Sequence, residues 1–181
     1  MDGTDSDRAP VVVGIDGSDH ADAALRYAIR EGARRGRPVR VVVAHEPPDA
    51  WMSPYGMPLL ADGGEIREAV EESARRRVEE FRAGLDEAER AVPVEVTAVT
   101  GPAPWVLTRA GEGAALLVVG HRGRGKVRSA LLGSVGLSVV LRAPCPVTVV
   151  RPPRERDEAD EAGDADAASA LVGPFAAGPL A

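Results

Sequence analysis

The sequence predicts an α/β fold: a Rossmann-like, three-layer sandwich in which helices cover both faces of a five-stranded, mostly parallel sheet. Three observations carry this. Five short β-rich runs, Val11 to Ile15, Val39 to Ala44, Val94 to Val99, Ala115 to Val119 and Val147 to Val150, alternate with stretches of helical periodicity. The first, second, fourth and fifth runs are nearly continuous in apolar residues, as parallel strands covered on both faces are. The length of 181 residues suits one domain with one core.

Taken in order, the first strand leads to Asp16-Gly17-Ser18 and then to a helix with Ala21, Ala24, Leu25, Ala28 and Ile29 at helical spacing. Ser18 or Asp19 is its expected N-cap, and Gly36 with Pro38 ends it. After the second strand, one long amphipathic helix is expected from Ile66 to Ala88, its stripe including Val70, Val78, Phe81 and Leu85, with Arg77 as a snorkelling stem. Val94 to Val99 alternates as Val-Glu-Val-Thr-Ala-Val, which suits a strand nearer an edge. A shorter helix starts at Pro102 or Pro104, where proline is tolerated, and runs to Gly111. The last helix is expected from Ser129 to Arg142, before the fifth strand.

Charge and cysteine content exclude several classes. The net charge is −6, but the segment from Pro152 onward holds seven acids against two arginines, so residues 1–151 carry only −1. A near-neutral body without a basic stripe argues against a nucleic-acid partner. Cys145, the single cysteine, excludes an intramolecular disulfide and a multi-cysteine metal site, and reads as a small apolar side chain. No run is long and apolar enough to cross a bilayer, so a cytoplasmic protein without a membrane partner is expected. The expected organisation is a disordered segment 1–9, one domain over 10–151, and an acidic disordered tail 152–181.

In such a sheet, ligands bind beyond the carboxyl ends of the strands. Two segments meet there. Ala115 to Val119 opens into Gly120-His121-Arg122-Gly123, and after nine intervening residues comes Gly133-Ser134. Glycines let backbone N–H groups approach an anion, a following helix N-terminus adds partial positive charge, and the Ser134 hydroxyl can donate. The loop between carries Arg122, Arg124, Lys126 and Arg128 and no acid. The other segment supplies Asp16, whose carboxylate suits a ribose hydroxyl or a divalent metal held through water, or else helix capping.

These residues resemble the universal stress protein family over about Pro10 to Arg151. The resemblance rests on Val11-Val-Val-Gly-Ile-Asp16-Gly-Ser18, on the spacing Gly120, two residues, Gly123, nine residues, Gly133-Ser134-Val135, and on the closing Arg142-Ala-Pro-Cys-Pro-Val-Thr-Val-Val150. It implies an adenine nucleotide alpha hydrolase-like fold and a bound adenine nucleotide, ATP, with Mg2+ or Mn2+. Adenine is expected near Ala44, and Asp16 at the ribose, or at the metal and phosphates. Gly120, Gly123, Gly133, Ser134 and Val135 are expected to hold the phosphates, with His121, Arg122 and Arg124 as further candidate contacts. The resemblance also implies a homodimer paired through Val147 to Val150, which would cover an apolar edge.

Two positions depart from the family pattern. His121 stands where a small residue is common and reads as a partly exposed loop residue, able to donate when protonated. Gly136 stands where Ser or Thr is usual, which removes one phosphate donor, a contribution of about 1 kcal/mol.

Turnover is expected to be slow or absent, because Asp16 has no second acid beside it and Gly125-Lys126 is followed by Val127 rather than Ser or Thr. A nucleotide-binding regulatory module therefore fits better than the two alternatives. One is an adenylating enzyme of the ATP-pyrophosphatase kind, whose first-loop motif Gly14-Ile-Asp16-Gly-Ser18-Asp19 resembles only superficially. The other is a dimeric scaffold without nucleotide, against which the intact glycine pattern counts. The long connection Glu46 to Glu65 carries Trp51 and Tyr55, each a candidate cover for the base or a contact to a dimer mate.

Overall fold

A computed structural model describes residues 9–46, 63–123 and 132–152. The tail, the segment 1–8, the connection with Trp51 and Tyr55, and the loop with Arg124, Lys126 and Arg128 lie outside them. Among the described residues the elements run β1 (Val11–Gly14), α1 (Asp19–Arg35), β2 (Val39–His45), α2 (Gly63–Ala83), α3 (Glu87–Arg90), β3 (Val94–Thr100), α4 (Ala103–Ala110), β4 (Leu116–Gly120), α5 (Ser134–Arg142) and β5 (Val147–Val150).

The strands pair in the order β3-β2-β1-β4-β5, every neighbour parallel. From β1 the chain crosses through β2 to β3 on one side and then returns to β4 and β5 on the other. The crossovers diverge between β1 and β4, which opens a crevice above their carboxyl ends.

Two apolar layers sandwich the sheet, and strand alternation assigns residues to each. Val11 and Val13 of β1 join Leu25, Ile29, Val41, Val78 and Val118 under α1 and α2. Val12 of the same strand joins Val42, Leu107, Leu117 and Val139 under α4 and α5. Full burial of Val11, Val12 and Val13 explains the unbroken apolar run: neither face of β1 meets water.

β3 is an edge strand, as its alternation implies. The other edge is β5, in which all four residues are half-buried although its sequence is as apolar as a central strand.

Helix ends follow the local chemistry. Ser18 caps α1 by accepting from the Ala21 N–H at 3.3 Å, and Gly36 closes it in the left-handed region at φ 60°. Ser18→Ala is expected to cost about 1 kcal/mol. Its melting midpoint should then fall by roughly 3 °C in a thermal scan.

Two helix bounds need correction. The stretch Ile66 to Ala88 is not one helix. α2 begins earlier, at Gly63, and stops at Ala83; Gly84 and Leu85 turn, and Asp86 N-caps the separate α3 by accepting from Glu89 N–H at 2.8 Å. A glycine followed two residues later by a capping aspartate outweighs a continuing apolar stripe. Arg77 is also more than a snorkelling stem, since its guanidinium donates to both oxygens of Asp22 (2.8 and 3.2 Å) and so ties α2 to α1. Finally, α5 starts at Ser134 rather than Ser129. Leu132 and Gly133 precede it in non-helical form, with Gly133 extended at ψ 153°.

Candidate functional site

The loop after β1 is organised around Asp16. Gly17 takes φ 81°, a region glycine enters at no steric cost, and so folds Ser18 back towards the carboxylate. Both the N–H and the hydroxyl of Ser18 donate to Asp16 Oδ1, at 3.0 and 2.7 Å. Ser18 in turn caps α1. Capping and ligand binding, which the sequence posed as alternatives for Asp16, are thus divided: Ser18 caps, and Asp16 holds Ser18 through Oδ1. Its Oδ2 faces the second loop, only 2.6 Å from where a Cβ on Gly123 would stand.

The second loop leaves β4 at Gly120, where a Cβ would stand 2.8 Å from the His20 carbonyl oxygen and 3.1 Å from that of Arg122. Backbone bonds then bring the start of α5 alongside: His121 N–H donates to Val150 O at 2.7 Å, and Gly133 N–H donates to His121 O at 3.0 Å. No side chain caps α5. The first N–H groups of a helix have no intrahelical acceptor, so those of its first turn point out as donors.

Gly136 lies buried in that turn. A Cβ there would stand 2.9 Å from Leu132 Cδ1, so the position lost as a hydroxyl donor is occupied by close packing of Leu132.

A cavity of about 600 Å³ opens above these loops. Asp16, Ala44, Gly120, Gly123, Gly133, Ser134 and Val135 all line it. Arg122 lines it as well, its Nε buried without a hydrogen-bond partner among the described residues. His121 is absent from the lining. It is half-buried and faces the other way, stacked on His20 with ring centroids 6.5 Å apart and with Nε2 3.0 Å from the Arg151 guanidinium. Partial burial, then the Arg151 and Arg122 guanidiniums, and last the neighbouring His20 ring, hold its imidazole below the ordinary 6.5. Arg124 lies outside the described residues.

Sequence reasoning missed the apolar walls. Val42, Ala103 and Leu107 line the cavity together with Ala44 on the β2 side of β1; Leu132 lines it beside Gly133. Such residues carry no motif. Leu107 reaches the site because Gly14 lacks a Cβ, which would stand 2.7 Å from Leu107 Cδ2.

The cavity therefore has two chemistries. The β2 side offers apolar walls to a flat ring, and the β4 side offers backbone and hydroxyl donors to an anion. Among the described residues no group of three or more His, Cys, Asp or Glu stands together as metal ligands, so a divalent ion would need ligand oxygens from a phosphate chain, with Asp16 reaching it through water. Cys145 packs against the α4 and α5 layer, and burial pushes its thiol pKa up. No helix among the described residues is long and apolar enough to cross a membrane.

Comparison with known proteins agrees with this architecture. The sequence model of the Universal stress protein family matches residues 8–151. A universal stress protein of Thermus aquaticus is 37% identical over 155 residues, covering 78% of this chain and 97% of its own length. One of Mycolicibacterium smegmatis is 38% identical over 146 residues, covering 80% of this chain; the match takes in only 46% of that relative, so the chain spans about half its length. Among solved structures, the universal stress protein from Archaeoglobus fulgidus in complex with dAMP is 26% identical with a TM-score of 0.50, covering 78% of this chain and 97% of its own. With the family match spanning most of the chain and the glycine spacing set at the carboxyl ends of a 3-2-1-4-5 parallel sheet, this protein belongs to the universal stress protein family.

Proposed function

We propose that this chain binds an adenine nucleotide, ATP, in the cavity between β1 and β4, and acts as a regulatory, stress-response module with slow or no hydrolysis. One observation carries the reading: the seven positions expected from sequence to hold the nucleotide, from Asp16 to Val135, line one cavity of about 600 Å³. The relative solved with dAMP supports the adenine class.

Adenine lies against Ala44 and the apolar walls, and the ribose faces Asp16. The phosphates take backbone N–H groups of Gly120, Gly123 and Val135 and the Ser134 hydroxyl, with Arg122 beside them. Mg2+ or Mn2+ comes chelated to the phosphates. A single carboxylate already engaged with Ser18 is a poor base for orienting an attacking water, which favours retention of the nucleotide over turnover. The working unit is a cytoplasmic homodimer paired through Val147–Val150, in which the apolar edge of β5 finds its partner strand.

Mass spectrometry of ligand released from freshly purified protein tests the binding. An adenine nucleotide is expected. A ligand-free preparation with no measurable ATP affinity in calorimetry would sink the proposal, and sustained pyrophosphate release from ATP would replace it with an adenylating enzyme.

A further inference from the structure

We propose that His20, His121 and Arg151, with Arg122 beside them, form a second anion subsite, for a phosphoryl-type dianion, on the far side of Gly120 from the cavity. Three elements converge there. His20 lies in the first turn of α1, His121 directly follows β4 and Arg151 directly follows β5. Parallel pairing sets Gly120 opposite Val150, which places residues 121 and 151 side by side, and the 2.7 Å bond from His121 N–H to Val150 O locks them.

The cluster is unbalanced in charge. Several arginines elsewhere find acids, Arg30 with Glu89, Arg40 with Glu95 and Arg77 with Asp22, while Arg37 and Arg142 donate to the Ala9 carbonyl and the Ser138 hydroxyl. Among the described residues no carboxylate forms an ion pair with His20, His121, Arg122 or Arg151, and the groups that lower the His121 pKa besides burial are Arg151, Arg122 and His20. A guanidinium has donors only, so the 3.0 Å contact from Arg151 makes His121 Nε2 an acceptor and its ring neutral. Guanidinium donors held beside imidazoles without an acid are a place for an anion.

Position relates the cluster to the cavity. Gly120 and Arg122 line the cavity, while the His20 carbonyl lies 2.8 Å from where a Gly120 Cβ would be, so one residue separates the two. The dianion has two sources: the terminal phosphate of a nucleotide whose chain leaves the cavity past Gly120, which rests on the reading above, or free phosphate or sulfate, which does not.

An anion seated between Arg151 and His121 takes over the guanidinium donor and accepts from the ring. His121 then becomes a donor at both nitrogens, and binding takes up a proton. Without the anion the imidazole titrates below 6.5; with it the pKa rises, so affinity grows as pH falls through that interval.

The test uses the full chain, whose three histidines, His20, His45 and His121, allow each ring to be assigned in NMR spectra by single His→Gln variants. Ring shifts are followed from about pH 5 to about pH 8.5 at matched ionic strength in chloride, in sulfate, which does not titrate there, and with ATP or AMP. Sulfate or ATP is expected to raise the His121 pKa by about one unit, a roughly tenfold change in anion affinity across the titration. Arg151→Gln, at an exposed position, should abolish the shift while the remaining spectrum is preserved.

A shift with ATP but not AMP identifies the terminal phosphate, and a shift with sulfate alone identifies a free anion. Equal His121 pKa values in chloride, sulfate and ATP would overturn the subsite, as would a shift that survives Arg151→Gln. If sulfate moves His121 but ATP perturbs neither His121 nor the amides of Gly123 and Gly133, the nucleotide reading fails and the subsite stands.

Discussion

Gly123→Val should reduce ATP affinity at least a hundredfold, roughly 2.7 kcal/mol, while leaving the melting midpoint nearly unchanged. The glycine is exposed, so added bulk meets solvent on one side and the core is untouched. On the other side the new Cβ would stand 2.6 Å from Asp16 Oδ2. That oxygen ends a side chain, but the carboxylate cannot simply swing away, because Oδ1 already takes both donors of Ser18. Either the loop recedes from the cavity or Asp16 abandons Ser18, and each outcome removes a proposed nucleotide contact. Isothermal calorimetry and a thermal scan on the same preparation decide it. Unchanged ATP affinity in a folded variant would mean that neither Asp16 nor the Gly120–Gly123 turn touches the ligand.

Gly120→Val should behave differently, lowering stability and binding together. Here the obstructing atoms are backbone: the His20 carbonyl oxygen at 2.8 Å and that of Arg122 at 3.1 Å from the ideal Cβ. Backbone in the first turn of α1 has no rotamer through which to yield, so the end of β4 and the start of α1 must separate. Overpacking of this kind costs about 2 to 3 kcal/mol. That corresponds to a midpoint lower by roughly 6 to 10 °C for a domain of this size. Urea unfolding followed by circular dichroism measures the loss. A variant as stable as the parent would show that the close approach of α1 to β4 contributes little.

The contrast between these glycines shows what sequence alone leaves open. Both belong to one motif and read alike as positions for backbone donors. Only the surroundings assign one to the exposed meeting of two loops and the other to a helix–strand contact.

A similar division runs through the chain. Apolar continuity and β-branched composition sufficed to locate all five strands to within a residue or so and to mark β3 as an edge, because a strand's pattern records whether each of its faces meets water. The glycine spacing and Asp16 sufficed to nominate the loop residues of the cavity, because a close approach of backbone to an anion demands glycine whatever surrounds it. Helix ends were less legible where a longer-range stripe competed with a local stop, as at Gly84 and Asp86.

Whatever depends on meetings between distant segments was decided by the tertiary structure. Leu107 reaches the cavity across Gly14, Leu132 fills the space above Gly136, and Arg77 meets Asp22. His121, expected as a partly exposed loop residue, is one and also lies with His20 and Arg151. Local pattern is set by each residue's own backbone and solvent preferences and can be read in one dimension. Contacts made when β1, β4 and β5 come into register bring together residues far apart in the chain, and no spacing along the sequence encodes which side chains will then face one another.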